Sequence, residues 1–274
     1  TQKCAHYNIG LTVDAEEAHR LEISMEIIEN VFSDASLKGW DGFGLAIQSY
    51  QKRCTRLVDW LTALAEEHGR KMMVRLVKGA YWDSEVKYAQ VNGLSGYPVF
   101  TRKNATDVAY LANAAKMMAR RDLFYPMFAT HNAYTVAALI ELAGNDQTGF
   151  EFQRLHGMGE PLYHQIVGRD DGKYPCRVYA PVGSHQDLLP YLVRRLLENG
   201  ANTNFVNRLQ NDKVPVDDIL VDPIDYIKNL HQKQHPHIPL PADLYADRKN
   251  SAGIEFANSH VSEELLKKID AAGR

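Results

Sequence analysis

The segment "RLVKGAYWDSE", residues 75–85, sets a guanidinium, an amine, a phenol, an indole and two carboxylates directly behind the apolar run Met72-Met73-Val74. Such a crowd at the end of one buried segment suits recognition of a small polar molecule. Arg75 offers a fixed cation, Tyr81 a hydroxyl and Trp82 an aromatic face. Lys78 could instead form a Schiff base with a carbonyl substrate, given a depressed amine pKa. Towards the other end, "YLVRRLLENGAN" places Arg194 beside Arg195 among Leu192, Val193, Leu196 and Leu197. Two guanidiniums can clamp one carboxylate or phosphate with forked hydrogen bonds. Adjacent helix positions point about 100° apart, so the helix by itself favours a plainer arrangement: one solvated arginine and one paired with Glu198. His231, His235 and His237 in "HQKQHPH" lie in a proline-rich stretch without a matching carboxylate cluster, which favours solvated histidines over a metal site.

Regular elements must hold these groups in place. Six apolar runs rich in β-branched and aromatic residues, each followed by a helix-patterned stretch, give the signal for parallel βα units. The runs are "HYNIGLTV", "FGLAIQ", "KMMVRLV", "FYPMFAT", "FEFQRLHG" and "CRVYAPV". Acidic "DAEE" suits the start of the first helix, and Gly69, Gly144 and Gly200 suit helix C-termini. After the third run comes an insert, "WDSEVKYAQVNGLSGYPVFTRK", long enough to serve as a functional lid. Strict βα alternation leaves a closed (βα)8 barrel or an open doubly wound sheet, and no GxGxxG follows any strand, which disfavours the dinucleotide-binding form. Both folds put chemistry at the C-terminal strand ends. Aligning those ends collects Asp14, Gln48, Arg75, Lys78, Tyr81, Thr130, His131, Asn132, Gln153, His156 and Tyr179 into one polar rim.

Composition narrows the partners. With 31 basic and 34 acidic residues spread along 274, a net charge of −3 and no basic block, nothing favours nucleic acid or a membrane surface. No run reaches the roughly 18 to 20 apolar residues that cross a bilayer, and no signal-peptide layout opens the chain, so the expectation is cytoplasmic. Cys4, Cys54 and Cys176 are odd in number and far apart, so buried thiols are expected rather than disulfides. The missing initiator Met and an early first strand suggest an excised piece of a longer chain. Residues 1–208 read as the βα portion. Residues 209–274, where prolines interrupt any long helix, read as a linker or embracing tail.

Together, "RLVKGAYWDSE", "GYPVFTRK", "FATHN", "FEFQRLHGMGEPLY", "RVYAPVG" and "YLVRRLLENGAN" resemble the proline dehydrogenase domain of the bacterial bifunctional proline utilization A flavoproteins. The resemblance runs in order over essentially the whole chain, including "NIGLTVDAEEA" and "HPHIPLPADLY". It implies a (βα)8 TIM barrel, here strands three to eight, that binds FAD noncovalently. The implied reaction is oxidation of L-proline to Δ1-pyrroline-5-carboxylate, with electrons passed to membrane quinone from a peripheral position. The tail would lead towards an aldehyde dehydrogenase domain. By position, Arg194 and Arg195 match the pair that grips the proline carboxylate, which overturns the plainer reading of the helix. Tyr179, Tyr191, Leu76, Tyr81 and Asp14 match the walls of the substrate pocket. Arg75 matches the cation beside the reactive edge of the flavin, where negative charge develops. Gln48, Val77, Gly79, Ala80, Trp82, Thr130, His131, Gln153 and Glu198 match flavin-contacting positions. Two other readings remain: a Lys78 Schiff-base lyase on the same barrel, and an inactive truncated scaffold.

Overall fold

A computed structural model describes residues 1–167, 174–195 and 222–273. Six strands, β1 (Leu11–Val13), β2 (Phe43–Gln48), β3 (Met72–Val77), β4 (Phe124–Ala129), β5 (Glu151–Leu155) and β6 (Cys176–Tyr179), form one sheet in sequence order. Every pairing is parallel. The strands form part of a barrel wall, and among the described residues β1 and β6 each pair on one side only. The described residues therefore build a partial, open parallel barrel wall rather than a closed barrel.

Helices cover one face of that wall. They are α1 (Gln2–His6), α2 (Leu21–Phe32), α3 (Cys54–His68), α4 (Trp82–Val91), α5 (Lys103–Ala119), α6 (Ala133–Ala143) and α7 (Glu160–His164), followed by a helical segment over 185–195. On α3, the buried residues Leu57, Val58, Leu61, Leu64 and Ala65 recur at three- and four-residue spacing, so one stripe meets the sheet. Facing it, alternate strand residues such as Leu45, Ile47, Val74, Leu76, Phe128 and Phe152 complete the core. Each large side chain so buried contributes about 1.5 to 3 kcal/mol. The opposite strand face carries Arg75, Glu151, Gln153 and Arg177 and looks into the barrel interior.

Three local expectations need correction. Of the run "HYNIGLTV" only Leu11–Val13 is strand: His6 ends helix Gln2–His6, and Asn8, with φ of 51°, turns the chain before β1. "DAEE" forms a loop: the first long helix begins at Leu21, behind a 3-10 turn over Ala18–Arg20. The insert after β3 is not a bare loop, because its first part is α4. Gly69 and Gly144 cap α3 and α6 as expected, while Gly200 lies outside the described residues. Of the cysteines only Cys54 is fully buried, and burial pushes its thiol up to about 12.

The tail wraps the insert. Arg102 donates to the carbonyls of Gln234 and Gln232, Tyr97 donates to the Pro239 carbonyl at 2.6 Å, and Asn250 donates to Gln90 at 3.1 Å. Where the two backbones cross, Gly253 N–H donates to Gly93 at 2.9 Å. A Cβ at Gly93 would lie 1.9 Å from the Ser251 carbonyl oxygen, and one at Gly253 would lie 1.8 Å from that of Asn92, so the crossing requires glycine on both sides. The tail thus holds α4, and α4 begins immediately after Tyr81.

Candidate active site

Arg75 projects from the middle of the wall and is held on three sides. Its Nε donates to Gln153 Oε1 at 2.8 Å, its Nη1 to Asp14 Oδ1 at 2.7 Å, and its guanidinium lies 5.4 Å from the centre of the Tyr179 ring. These contacts join the ends of β1, β3, β5 and β6, so residues far apart in sequence converge. Nη2 has no hydrogen-bond partner among the described residues. Asp14 is 72% exposed and Gln153 only 1%, so the two anchors sit in very different surroundings.

A second convergence lies over Tyr81. The Arg194 guanidinium stands 5.3 Å from the Tyr81 ring centre, and Arg195 stands 5.3 Å from that of Tyr191, one helical turn away. Burial pushes the Tyr81 hydroxyl above its ordinary range, against the opposing pull of Arg194, so it remains a neutral donor at physiological pH. Both arginines of the pair thus lie over aromatic faces, close to the strand ends.

Behind this rim the sheet-to-helix loops are tied together. Gln48 donates to the Glu16 carbonyl at 2.8 Å and accepts from Ala80 N–H at 3.0 Å, which joins the loop after β1 to the loop after β3. Glu85, buried on α4, accepts from Ala18 N–H at 2.5 Å and from the Tyr50 hydroxyl at 3.4 Å. Burial raises its pKa, partly offset by those bonds and by His19. The loop that carries Asp14 is therefore clamped from two directions.

Other expected site residues have structural partners. Gly79 has φ of 147°, and a Cβ there would meet the Tyr50 ring at 2.3 Å, so packing already requires glycine before any ligand is considered. Trp82 donates to the Phe100 carbonyl at 2.8 Å. The Thr130 carbonyl accepts from Tyr163 at 2.8 Å, and His131 Nε2 accepts from Leu155 N–H at 3.1 Å. Asn132 caps α6, and His156 is exposed. Val77 ends β3 beside Gln48. Leu76 requires correction: it has 0% exposure and packs in the helix-facing core, because neighbouring strand residues point to opposite faces. It cannot wall the interior pocket that Arg75 faces. Glu198 lies outside the described residues.

Lys78 is committed elsewhere. Its Nζ pairs with Asp107 Oδ1 at 2.5 Å and lies 5.9 Å from the centre of the Tyr110 ring. An amine held as an ammonium in an ion pair lacks the lone pair that a Schiff base needs, which counts against the lyase reading. Glu151 was missed by sequence reasoning, although "FEFQR" signals it: two polar residues two apart in a strand share a face, between phenylalanines on the other. Among the described residues no His, Cys, Asp and Glu gather into a group that could hold a metal, and no helix is long and apolar enough to cross a membrane.

The model of the family described as proline dehydrogenase matches residues 1–208. The chain belongs to the proline dehydrogenase family. It is 56% identical over 275 aligned residues to the bifunctional protein PutA of Klebsiella aerogenes, which covers 96% of this chain and 21% of that one. A solved mutant of proline utilization A from Bradyrhizobium japonicum superposes with a TM-score of 0.92 at 55% identity, covering 98% of this chain and 28% of that one. Proline utilization A from Bdellovibrio bacteriovorus, solved after inactivation by N-propargylglycine, gives 0.84 at 32% identity, covering 98% and 27%. The chain spans about a fifth of the length of these curated relatives. Its β1 to β6 make the partial barrel wall of the proline utilization A fold.

Proposed function

We propose that this chain is the proline-oxidising part of a bifunctional enzyme, converting L-proline to Δ1-pyrroline-5-carboxylate with FAD as the immediate acceptor and quinone as the final one. The observation that carries the reading is Arg75, fixed on the interior face by Gln153, Asp14 and Tyr179. A cation so placed suits a flat, electron-accepting ring, and its register neighbour on β2 is the small residue Ala46. FAD, when bound, supplies the acceptor for the two electrons that leave the carbon beside nitrogen.

The protein's own groups bind and orient. Arg194 and Arg195 hold the substrate carboxylate, while Tyr81, Tyr179 and Tyr191 pack round the five-membered ring. Asp14 borders the pocket and steadies Arg75. Gln48, Val77, Gly79, Ala80, Trp82, Thr130, His131 and Gln153 line the flavin. Arg75 provides positive charge where negative charge accumulates during the reaction, and it needs no rearrangement to do so. The remaining parts of this reading are an aldehyde dehydrogenase domain in the longer parent chain and a cytoplasmic enzyme that meets the membrane peripherally to reach quinone.

A ring acid without the amine, tetrahydrofuran-2-carboxylate, tests the carboxylate grip. In the full-length protein its affinity, read by flavin difference spectra, should fall roughly tenfold or more in Arg194→Met and in Arg195→Met. Lysine should rescue only part, since an ammonium cannot reproduce the planar fork. Wild-type affinity in both methionine variants would place the carboxylate elsewhere.

A further inference from the structure

Behind Gln153 lies a carboxylate that the proposed chemistry leaves unused. Glu151, on the same face of β5, is 3% exposed. Its Oε1 accepts from Gln153 Nε2 at 2.7 Å and from Arg177 Nε at 2.7 Å, and its Oε2 accepts from Arg177 Nη2 at 2.9 Å and from the Tyr125 hydroxyl at 3.3 Å. Gln153 therefore stands between a group that can only accept and a group that can only donate. Its other neighbour, Met127 Sδ at 3.1 Å, is a weak acceptor and sits on the amide nitrogen side.

A carboxamide can flip, and its two ends are nearly equal in size. Here only one orientation satisfies both neighbours. With oxygen towards Arg75 and nitrogen towards Glu151, both contacts are favourable. The reverse would set an N–H against a guanidinium N–H and an oxygen against a carboxylate. Both repulsions would act in a buried site, where unsatisfied polar groups cost most.

We propose that Glu151 is a positioning residue which, by fixing the amide orientation of Gln153, holds Arg75 at the angle the proposed proline oxidation requires. Arg177 and Tyr125 hold Glu151 in turn. Because Asp14 is largely exposed and Glu151 and Gln153 are buried, the rigidity of Arg75 comes from the buried chain. This inference rests on the reading of Arg75 as the charge-stabilising group.

The experiment uses the full-length protein and three substitutions. Glu151→Gln keeps the shape but can present either end to Gln153, so the lock is lost. Gln153→Glu changes the link alone. The double substitution restores the order from 151 through 153 to Arg75, since the amide at 151 donates to the carboxylate at 153, which accepts from Arg75; the amide oxygen keeps the Arg177 Nη2 contact, and only the Arg177 Nε contact is given up. Crystal structures of the variants read the effect with no substrate: the Arg75 Nε contact to position 153 should be lost or disordered in Glu151→Gln and re-formed in the double variant. With proline under anaerobic conditions, flavin reduction in Glu151→Gln should slow by about tenfold, the loss expected from one charge-assisted hydrogen bond. Tetrahydrofuran-2-carboxylate affinity should change by less than about twofold, because a positioning effect on Arg75 leaves the carboxylate grip intact. The midpoint potential of the flavin should move negative, and the double variant should recover most of the rate.

Glu151→Gln with an intact Arg75 contact and wild-type reduction overturns the proposal. So does a double variant that folds yet stays as slow as Glu151→Gln, because a merely structural carboxylate gives no rescue by exchange. Should Glu151→Gln fail to fold, the double variant must fold and reduce its flavin faster than Gln153→Glu alone, or the proposal falls. A wild-type flavin that proline does not reduce would instead refute the proline reading, and the crystal contacts would still decide the role of Glu151.

Discussion

The two faces of β3 are held by different physics. Met72, Val74 and Leu76 are each 0% exposed and packed under α3 and α5, where close contact and removal from water hold them. Met73, Arg75 and Val77, one residue out of phase, face the interior and are partly open. Arg75 is positioned there by directional hydrogen bonds that it donates to Asp14, just after β1, and to Gln153 on β5. Hydrophobic packing tolerates many angles but fixes the backbone, whereas hydrogen bonds fix an angle and need a backbone already fixed. The helix-facing side therefore provides the stability on which the interior side depends.

The contrast would break at Leu76. Leu76→Ala removes a fully buried side chain and should destabilise the protein by about 2 to 5 kcal/mol in urea denaturation, more than Arg75→Met does. A loss below about 1 kcal/mol, the range of an ordinary surface change, would mean that the outer face is not the structural one.

Glu85 sharpens the contrast with a titration. Burial raises its pKa above the ordinary carboxylate value of 4.5, so its contribution to stability is complete below that value and is lost as pH rises through the folded-state pKa. Glu85→Gln removes the charge while keeping an acceptor for Ala18 N–H. Melting curves of wild type and variant should therefore diverge in the variant's favour as pH rises above about 5, by the proton linkage of one group. A difference that does not vary with pH would show that the carboxylate is not buried as described.

The smallest effect belongs to Asp14. Its pair with Arg75 is short but largely exposed, and such pairs contribute about 0 to 1 kcal/mol. Asp14→Asn should slow proline-dependent flavin reduction by no more than about fivefold, less than Glu151→Gln, since exposed pairs are screened and buried ones are not. A larger loss for Asp14 would reverse the ranking of the two anchors.

Much of this arrangement could be read from residue order. β2 to β5 fall within two residues of their apolar runs, and β6 stops three residues before the end of its run, because each run combines β-branched or aromatic residues with a Gly, Pro or polar boundary. The rim was visible because parallel units align their C-terminal ends. Leu76 was misplaced by following a resemblance past the strand period: it and Arg75 are consecutive on one strand and cannot wall the same cavity. The early strand was overextended because "HYNI" has strand composition, while tertiary contacts and the turn at Asn8 decide its course. Glu85 and the crossing of Gly93 with Gly253 were illegible, since each depends on a segment far away in sequence.

The central claim is that Arg75 carries positive charge to the place where the reaction develops negative charge. Anaerobic stopped-flow mixing of the full-length protein with L-proline, comparing wild type with Arg75→Met, tests it most directly. Flavin reduction should slow by roughly 10²-fold or more, as when one preorganised charge-stabilising donor is removed, while tetrahydrofuran-2-carboxylate affinity changes little. Unchanged reduction with weakened binding alone would make Arg75 a substrate ligand and contradict the account.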